Sequence, residues 1–229
     1  MDIAIIPAKS YSSRLPNKNI KNFFGKPIIY YAINKAIKSK CFKKVFVSTD
    51  SEKIRSLSIK FGADKLELRN TKFAKNKTTL LDLFSYETKR IKKIYPSVKN
   101  ICCILPTALF FTIKQIKDSK KKLINNKKIK FSFPCSEIDS SLAKNFYISK
   151  NIVKISNDIF LKKNSQYFPQ FYIDVGQFYY GRADCWINKK DIFNNNCNLI
   201  KIPIDKVIDI NNKSDWNKAK TLFKINGNK

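Results

Sequence analysis

A chain of 229 residues with 43% hydrophobic and 13% aromatic content has enough apolar side chain for one well-packed domain, which excludes a disordered protein. It contains no histidine, so Ser–His–Asp catalysis, Cys–His catalysis and every His-ligated metal centre are excluded. The formal charge of +29, from 46 Lys and Arg against 17 Asp and Glu, attracts anions, yet only five of the 46 are arginine (Arg14, Arg55, Arg69, Arg90, Arg182), the residue favoured for base reading and phosphate clamping. Lysines spread along the whole chain beside many Asn, Ile and Phe read as drift at tolerant surface positions, and no nucleic-acid partner is expected. The six cysteines (Cys41, Cys102, Cys103, Cys135, Cys185, Cys197) include no C-x-x-C pair and follow no secretory signal, which predicts reduced thiols and a cytoplasmic location. The longest apolar runs, such as residues 101–105, are far too short to cross a bilayer, so no membrane association is expected.

Residues 2–8 (DIAIIPA) are a continuous apolar run, the pattern of a strand buried on both faces. A polar, basic stretch over 9–22 leads to Gly25-Lys26-Pro27. Pro27 suits a first helical turn, and Ile28, Ile29, Ala32, Ile33, Ala36 and Ile37 recur at helical spacing. Residues 44–48 (KVFVS) predict a second strand, and 51–61 a helix stopped by Gly62. Residues 78–95 predict an amphipathic helix closed before Pro96, 100–105 (NICCIL) a buried strand and 112–126 a further helix. Strands alternating with helices of this length imply parallel βαβ units: an α/β three-layer sandwich with a mostly parallel, Rossmann-like sheet.

The second half is richer in strand formers. Residues 131–135 are strand-like, 146–155 read as a hairpin turning at Lys150-Asn151, 173–187 are rich in β-formers, 199–203 form a short strand and 213–225 a closing helix. The expectation is one domain over 1–229 with an inserted hairpin lobe at about 137–171.

In an open parallel sheet, ligands bind beyond the carboxyl ends of the strands. The loop after the first strand reads KSYSSRLPNK, with hydroxyls at Ser10, Ser12 and Ser13 and cations at Lys9, Arg14 and Lys18. Loop amides with hydroxyls and cations beside them suit a polyphosphate. On composition alone this signal is weak, and a solvated basic loop is the favoured reading of the segment.

Four segments in order change that balance. Ala8, Ser12, Arg14, Leu15, Pro16, Lys18, Asn19, Gly25, Lys26 and Pro27 match the first loop, roughly A-R-x-G-S-x-R-[IL]-P-x-K-N and then G-K-P, of the sugar-acid cytidylyltransferases. Val47-Ser48-Thr49-Asp50 matches that family's second strand end. Residues 174–182 (DVGQFYYGR) resemble a D-x-G-Q-F-Y-[WY]-G-R segment of its pseudaminate branch, and Val207 to Trp216 resembles a closing V-x-D-I-D-x-x-x-D-W. The chain therefore resembles the nonulosonate cytidylyltransferases from residue 2 to about 222.

The resemblance implies a cytidylyltransferase in which the anomeric hydroxyl of a nonulosonic acid, pseudaminic acid in the first instance, attacks the α-phosphorus of CTP and diphosphate leaves. The product would serve surface or flagellar glycosylation. Catalytic roles would fall to Lys9, Arg14, Lys18 and Asp209. The nucleotide would lie against Ala8, Lys9, Ser12, Ser13, Arg14, Lys18 and Asn19, and Mg²⁺ on Asp209 and Asn211. Gln177, Tyr179 and Arg182 are the implied sugar-acid residues, Arg182 because a guanidinium grips a carboxylate in bidentate fashion; an ion pair with Asp184 is the competing reading. A homodimer through the hairpin lobe is also implied.

Several positions depart from the pattern. Its arginine is Lys9, its glycines are Ser10 and Tyr11, and its D-x-T-G-T stretch becomes Asn76-Lys77-Thr78-Thr79-Leu80. The second aspartate of D-I-D is Asn211, which keeps an oxygen but removes one charge from the metal site. An acylneuraminate or legionaminate enzyme, a catalytically impaired binding relic and a basic nucleic-acid binder remain as alternatives.

Overall fold

The computed structural model describes residues 1–75, 77–139, 145–155, 161 and 164–226. Strand β1 (Asp2–Pro7) sits between β4 (Lys44–Ser48) and β5 (Asn100–Ile104), parallel to both. Because successive strand residues point to opposite faces, Ile3 and Ile5 enter one apolar core while Ala4 and Ile6 enter the other.

Those two cores are the two interfaces of a three-layer sandwich. On one face, α1 (Ile29–Lys38), α2 (Glu52–Lys60) and α4 (Ile113–Asn125) pack through Ile29, Ala32, Ile33, Ala36, Ile54, Ile116 and Leu123. On the other, α3 (Leu80–Ile94) and α5 (Ala183–Ile187) pack through Leu83, Phe84, Ile91 and Trp186. A third cluster joins Leu15, Phe23, Ile28, Leu109, Ile210 and Trp216, the last from the final helix α6 (Lys213–Ile225).

The sheet order is β11-β6-β10-β5-β1-β4, with β9 also on β6. Strands β4, β1, β5, β6 (Phe131–Ile138) and β11 (Cys197–Lys201) run one way; β9 (Phe171–Asp174) and β10 (Phe178–Arg182) run the other. The fold is thus α/β with a mostly parallel sheet.

Helix ends follow the sequence signals. Ser51 and Thr79 cap α2 and α3, while Thr112 with Gln115, and Asn212 with Asp215, form complete capping boxes on α4 and α6. Two expectations shift. Pro27 lies in a short strand, and α1 begins at Ile29, because β2 (Asn22–Phe23) and β3 (Lys26–Pro27) close a hairpin over Phe24 and Gly25, both at positive φ. The β-forming stretch 173–187 ends in helix α5, where Trp186 is fully buried and its indole donates to the Ile101 carbonyl at 3.0 Å.

Strands β7 (Phe146–Ser149) and β8 (Ile152–Ile155) form a separate antiparallel pair, turning through Lys150 and Asn151 at positive φ. Residues 140–144, 156–160 and 162–163 of the expected lobe lie outside the described residues. Among the described residues no helix is long and apolar enough to cross a membrane.

Candidate active site

The loop after β1 is pinned at both ends. The Ala8 amide donates to the Ser48 carbonyl at 2.8 Å, and Leu15 is buried in the same cluster as Ile210 and Trp216. Ile210 belongs to the segment before α6, so this cluster brings an early loop and a late segment together. Lys18 completes the junction: its Nζ donates to the Ile210 carbonyl at 2.8 Å. Desolvation lowers the Lys18 pKa, Asp209 opposes that shift, and Arg14 and Lys9 add to it.

A cleft of about 520 Å³ opens at this junction. Its walls include Lys9, Ser12, Ser13, Arg14, Lys18 and Asn19 from the first loop, Arg69 and Lys75, Thr78 and Thr79 ahead of α3, Leu105 to Thr107 after β5, and Asp209 with Asn211. Five cations thus face one carboxylate, a balance suited to a polyanion.

Of the expected nucleotide residues, all but Ala8 line this cleft. Ala8 is fully buried with its amide committed to Ser48, so it does not present that group to a ligand. Asn19 donates from Nδ2 to the Lys9 carbonyl at 2.9 Å and leaves its buried Oδ1 without a hydrogen-bond partner. Ser10 and Tyr11, standing where glycines were expected, cause no backbone conflict: the positive φ of the loop falls on Asn17 (φ 53). The Tyr11 side chain is 64% exposed and is not among the cleft walls.

Asp209 and Asn211 point together. Asn211 Nδ2 donates to Asp209 Oδ2 at 2.8 Å, and the Asn211 amide donates to Asp215 Oδ2 at 2.9 Å. Gly176, at φ +59, lets the backbone approach Asp209 so closely that an added β-carbon would lie 2.9 Å from its Cγ. The donor set is one carboxylate and one amide oxygen beside a cleft suited to phosphates. That fits a hard cation such as Mg²⁺, which takes one or two protein oxygens and completes its shell with water and phosphate. Among the described residues no three acidic, Cys or His side chains gather into a metal cage.

The structure does not bring the three expected sugar-acid residues to this cleft. Gln177 is buried and internally bonded: Oε1 accepts the Phe110 amide at 3.0 Å, and Nε2 donates to the Val175 and Gly176 carbonyls at 3.1 and 3.3 Å. It therefore braces the loop after β5, as does Lys35, whose ammonium donates to the Leu109 and Phe111 carbonyls. Arg182 lies at the opposite end of the sheet, paired with Asn100 at the start of β5. Its guanidinium donates to the carbonyls of Ile129, Leu123 and Asn126 at 2.8, 2.7 and 3.1 Å. It closes the C-terminal end of α4, so neither a substrate contact nor an ion pair with Asp184 is its main engagement.

Tyr179 is buried, and its hydroxyl donates to Asp174 Oδ2 at 2.5 Å. Asp174 lines a second cavity of about 490 Å³, whose walls include Phe133, Tyr172, Phe193, Asn194 and Asn195. Desolvation pushes the Asp174 carboxyl up; the Tyr179 and Gly176 donors oppose the shift and Asp209 adds to it. Asp174 on the second cavity and Asp209 on the first therefore lie near enough to repel each other. Tyr179 stands behind the second cavity, its ring 5.9 Å from Phe133 and 6.3 Å from Phe193.

Sequence reasoning missed Arg69 and Thr107 as cleft walls and named Thr79, also a wall, only within a departing motif. Arg69 is 4% exposed, held 3.5 Å from Asp50 by its Nη2. One of only five arginines in a chain of 229 residues, it carried a compositional signal. Asn76, a departure in the motif, lies outside the described residues.

This fold and cleft belong to a nucleotidyltransferase, and the chain is a member of the cytidylyltransferase family, whose sequence profile matches residues 3–213. It is 30% identical over 226 residues to the pseudaminic acid cytidylyltransferase of Campylobacter jejuni subsp. jejuni, covering 98% of this chain and 97% of that protein. It is 27% identical to the CMP-N,N'-diacetyllegionaminic acid synthase of Legionella pneumophila, again over 98% and 97% of the two chains. Among solved structures, a CMP:2-keto-3-deoxy-manno-octonic acid synthetase complexed with CTP shares the fold with a TM-score of 0.75 at 14% identity, covering 99% of both chains.

Proposed function

We propose that the protein transfers the cytidylyl group of CTP to a nonulosonic acid, pseudaminic acid in the first instance, for surface-glycan synthesis in the cytoplasm. The sugar's anomeric oxygen attacks the α-phosphorus, the bond from that phosphorus to the bridging oxygen breaks, diphosphate departs and the hydroxyl proton passes to solvent. The observation that carries this reading is the junction of Lys18 with Ile210, which sets a cationic loop against Asp209 and Asn211 across one cleft.

The barrier is largely electrostatic, since an oxygen nucleophile approaches a polyanion while charge builds on the leaving group. Lys9, Arg14 and Lys18 would hold the triphosphate, with the Ser12 and Ser13 hydroxyls and Asn19 beside them. Asp209 and Asn211 would hold Mg²⁺ by carboxylate and amide oxygens; when bound, that ion neutralises phosphate charge. The cavity beyond Asp174 is assigned to the sugar acid, because its aromatic walls and its asparagines suit a ring bearing both apolar and polar substituents. Tyr179 contributes by supporting that wall.

A homodimer is part of the proposal. On the β7–β8 hairpin, cross-strand pairing puts Phe146 with Ile155 and Ile148 with Val153 on one face. Those four side chains are 60, 44, 75 and 65% exposed. A two-stranded hairpin with a bare apolar face is marginal alone, and a second copy would cover it. All six cysteines are free, in keeping with a reducing compartment.

Purified protein given CTP, Mg²⁺ and pseudaminate should release diphosphate and form the CMP-sugar. Product only with a legionaminate or neuraminate would move the assignment to that substrate. CTP binding without turnover on any of the three would leave the impaired relic, which the Asn211 replacement favours.

A further inference from the structure

The strand end Ser48-Thr49-Asp50 matches the family pattern but has no role in the chemistry described above. Its contacts give it one. Asp50 Oδ1 accepts the Ser10 amide at 2.9 Å and Oδ2 accepts the Ser10 hydroxyl at 2.6 Å. Arg69 Nη2 lies 3.5 Å from the same carboxylate, and the Arg69 amide donates to the Thr49 carbonyl at 2.9 Å. Between the buried anchors Ala8 and Leu15, Ser10 adds a side-chain tie from the first loop to the residue two past the β4 end.

Neither Ser10 nor Asp50 lines the cleft, whereas Lys9, Ser12 and Arg69 do. One carboxylate therefore links two wall-forming segments of the cleft, the first loop and the segment that carries Arg69. Desolvation acts to raise the Asp50 pKa, but the Ser10 donors and Arg69 outweigh it and hold the carboxyl below its usual range. Arg69 in turn is buried with its Nε lacking a hydrogen-bond partner, so Asp50 supplies part of its counter-charge.

We propose that Asp50 is a positioning residue for the nucleotide, holding the phosphate loop through Ser10 and the Arg69 guanidinium at a fixed separation. The inference rests on the nucleotide being bound in this cleft.

The test compares wild type with Ser10→Ala, Asp50→Ala and the double variant, by CTP calorimetry and by steady-state kinetics. Asp50→Ala should weaken CTP binding about ten-fold and Ser10→Ala about three-fold, in line with loss of charge-assisted hydrogen bonds. The double variant should be no worse than Asp50→Ala, because the two deletions remove one coupled interaction. The KM for the sugar acid should stay within about two-fold of wild type. Unchanged CTP affinity at a temperature where all variants are folded, or strictly additive losses, overturns the proposal. Ser10→Ala removes only a surface hydroxyl and stays readable if Asp50→Ala does not fold. Wild type that binds CTP without turnover refutes the transferase reading and leaves this inference standing; wild type that binds no CTP refutes both.

Discussion

Gly176 faces Asp209: the glycine sits at φ +59 with only 2.9 Å between the place a β-carbon would occupy and the Asp209 Cγ, so any side chain there would force the carboxylate to move. Gly176→Ala should displace the Asp209 carboxylate. The expected outcome is a fall of at least about ten-fold in kcat/KM, the effect of a misplaced catalytic group, with about 1–2 kcal/mol of lost stability from the strained backbone. Kinetics and urea unfolding check it; full activity in the variant would show that the contact does not set the site.

Arg182 satisfies three carbonyls around the end of α4. Arg182→Ala should cost about 2–3 kcal/mol of unfolding free energy while leaving the KM of both substrates unchanged. A selective rise in sugar-acid KM would return Arg182 to the substrate pocket.

Asn211→Asp restores a carboxylate beside Asp209 and removes the donor now bonded to it. Two acids this close repel unless a cation lies between them. The variant should melt lower than wild type without Mg²⁺, and its Mg²⁺ affinity should rise roughly ten-fold, equivalent to about 1.4 kcal/mol. A melting curve titrated with Mg²⁺ reads both effects.

Burial lowers Lys35 from 10.5 to about 8. Between those values the unfolded chain holds a proton that the folded chain has released, so Lys35 makes stability rise with pH across that window. Below about pH 8 both states are protonated and the unfavourable term is at full size. Lys35→Met should flatten the slope between pH 8 and 10.5, an increment of up to about 3 kcal/mol, as read by urea unfolding of both proteins at several pH values. An identical slope in the two proteins would show that Lys35 titrates normally.

The apolar face of the β7–β8 hairpin gives a test of assembly. Ile148→Lys with Val153→Lys places two cations on that face and should shift sedimentation from dimer to monomer, while the fold elsewhere stays intact by circular dichroism. A wild-type protein that sediments as a monomer refutes the dimer outright.

The strands and helices of the first half were legible because apolar runs and helical spacing coincide with capping residues such as Ser51, Thr79 and Thr112. The convergence of the first loop with Asp209 was implied by the family resemblance, not by any local pattern in either segment. Arg182 was misread because strand direction is not written in a local pattern. Its strand β10 runs antiparallel to β5, so Arg182 lies four residues from the cleft end of the strand, about 14 Å at strand rise. Gln177 was misread because a buried amide that braces a neighbouring loop has the same sequence signature as one that meets a ligand. Arg69 escaped because it sits between α2 and α3 in irregular backbone, where no periodicity marks a side chain as inward-facing.

The central place of β10 between β5 and β6 also governs how the chain matures on the ribosome. Until residues 178–182 emerge, β5 presents an apolar, unpaired border in the nascent polypeptide, a template for wrong partners. Synthesis that stalls after β5 or β6 should therefore yield chaperone clients and aggregates, and the sheet becomes continuous only when the late strand slots into its middle.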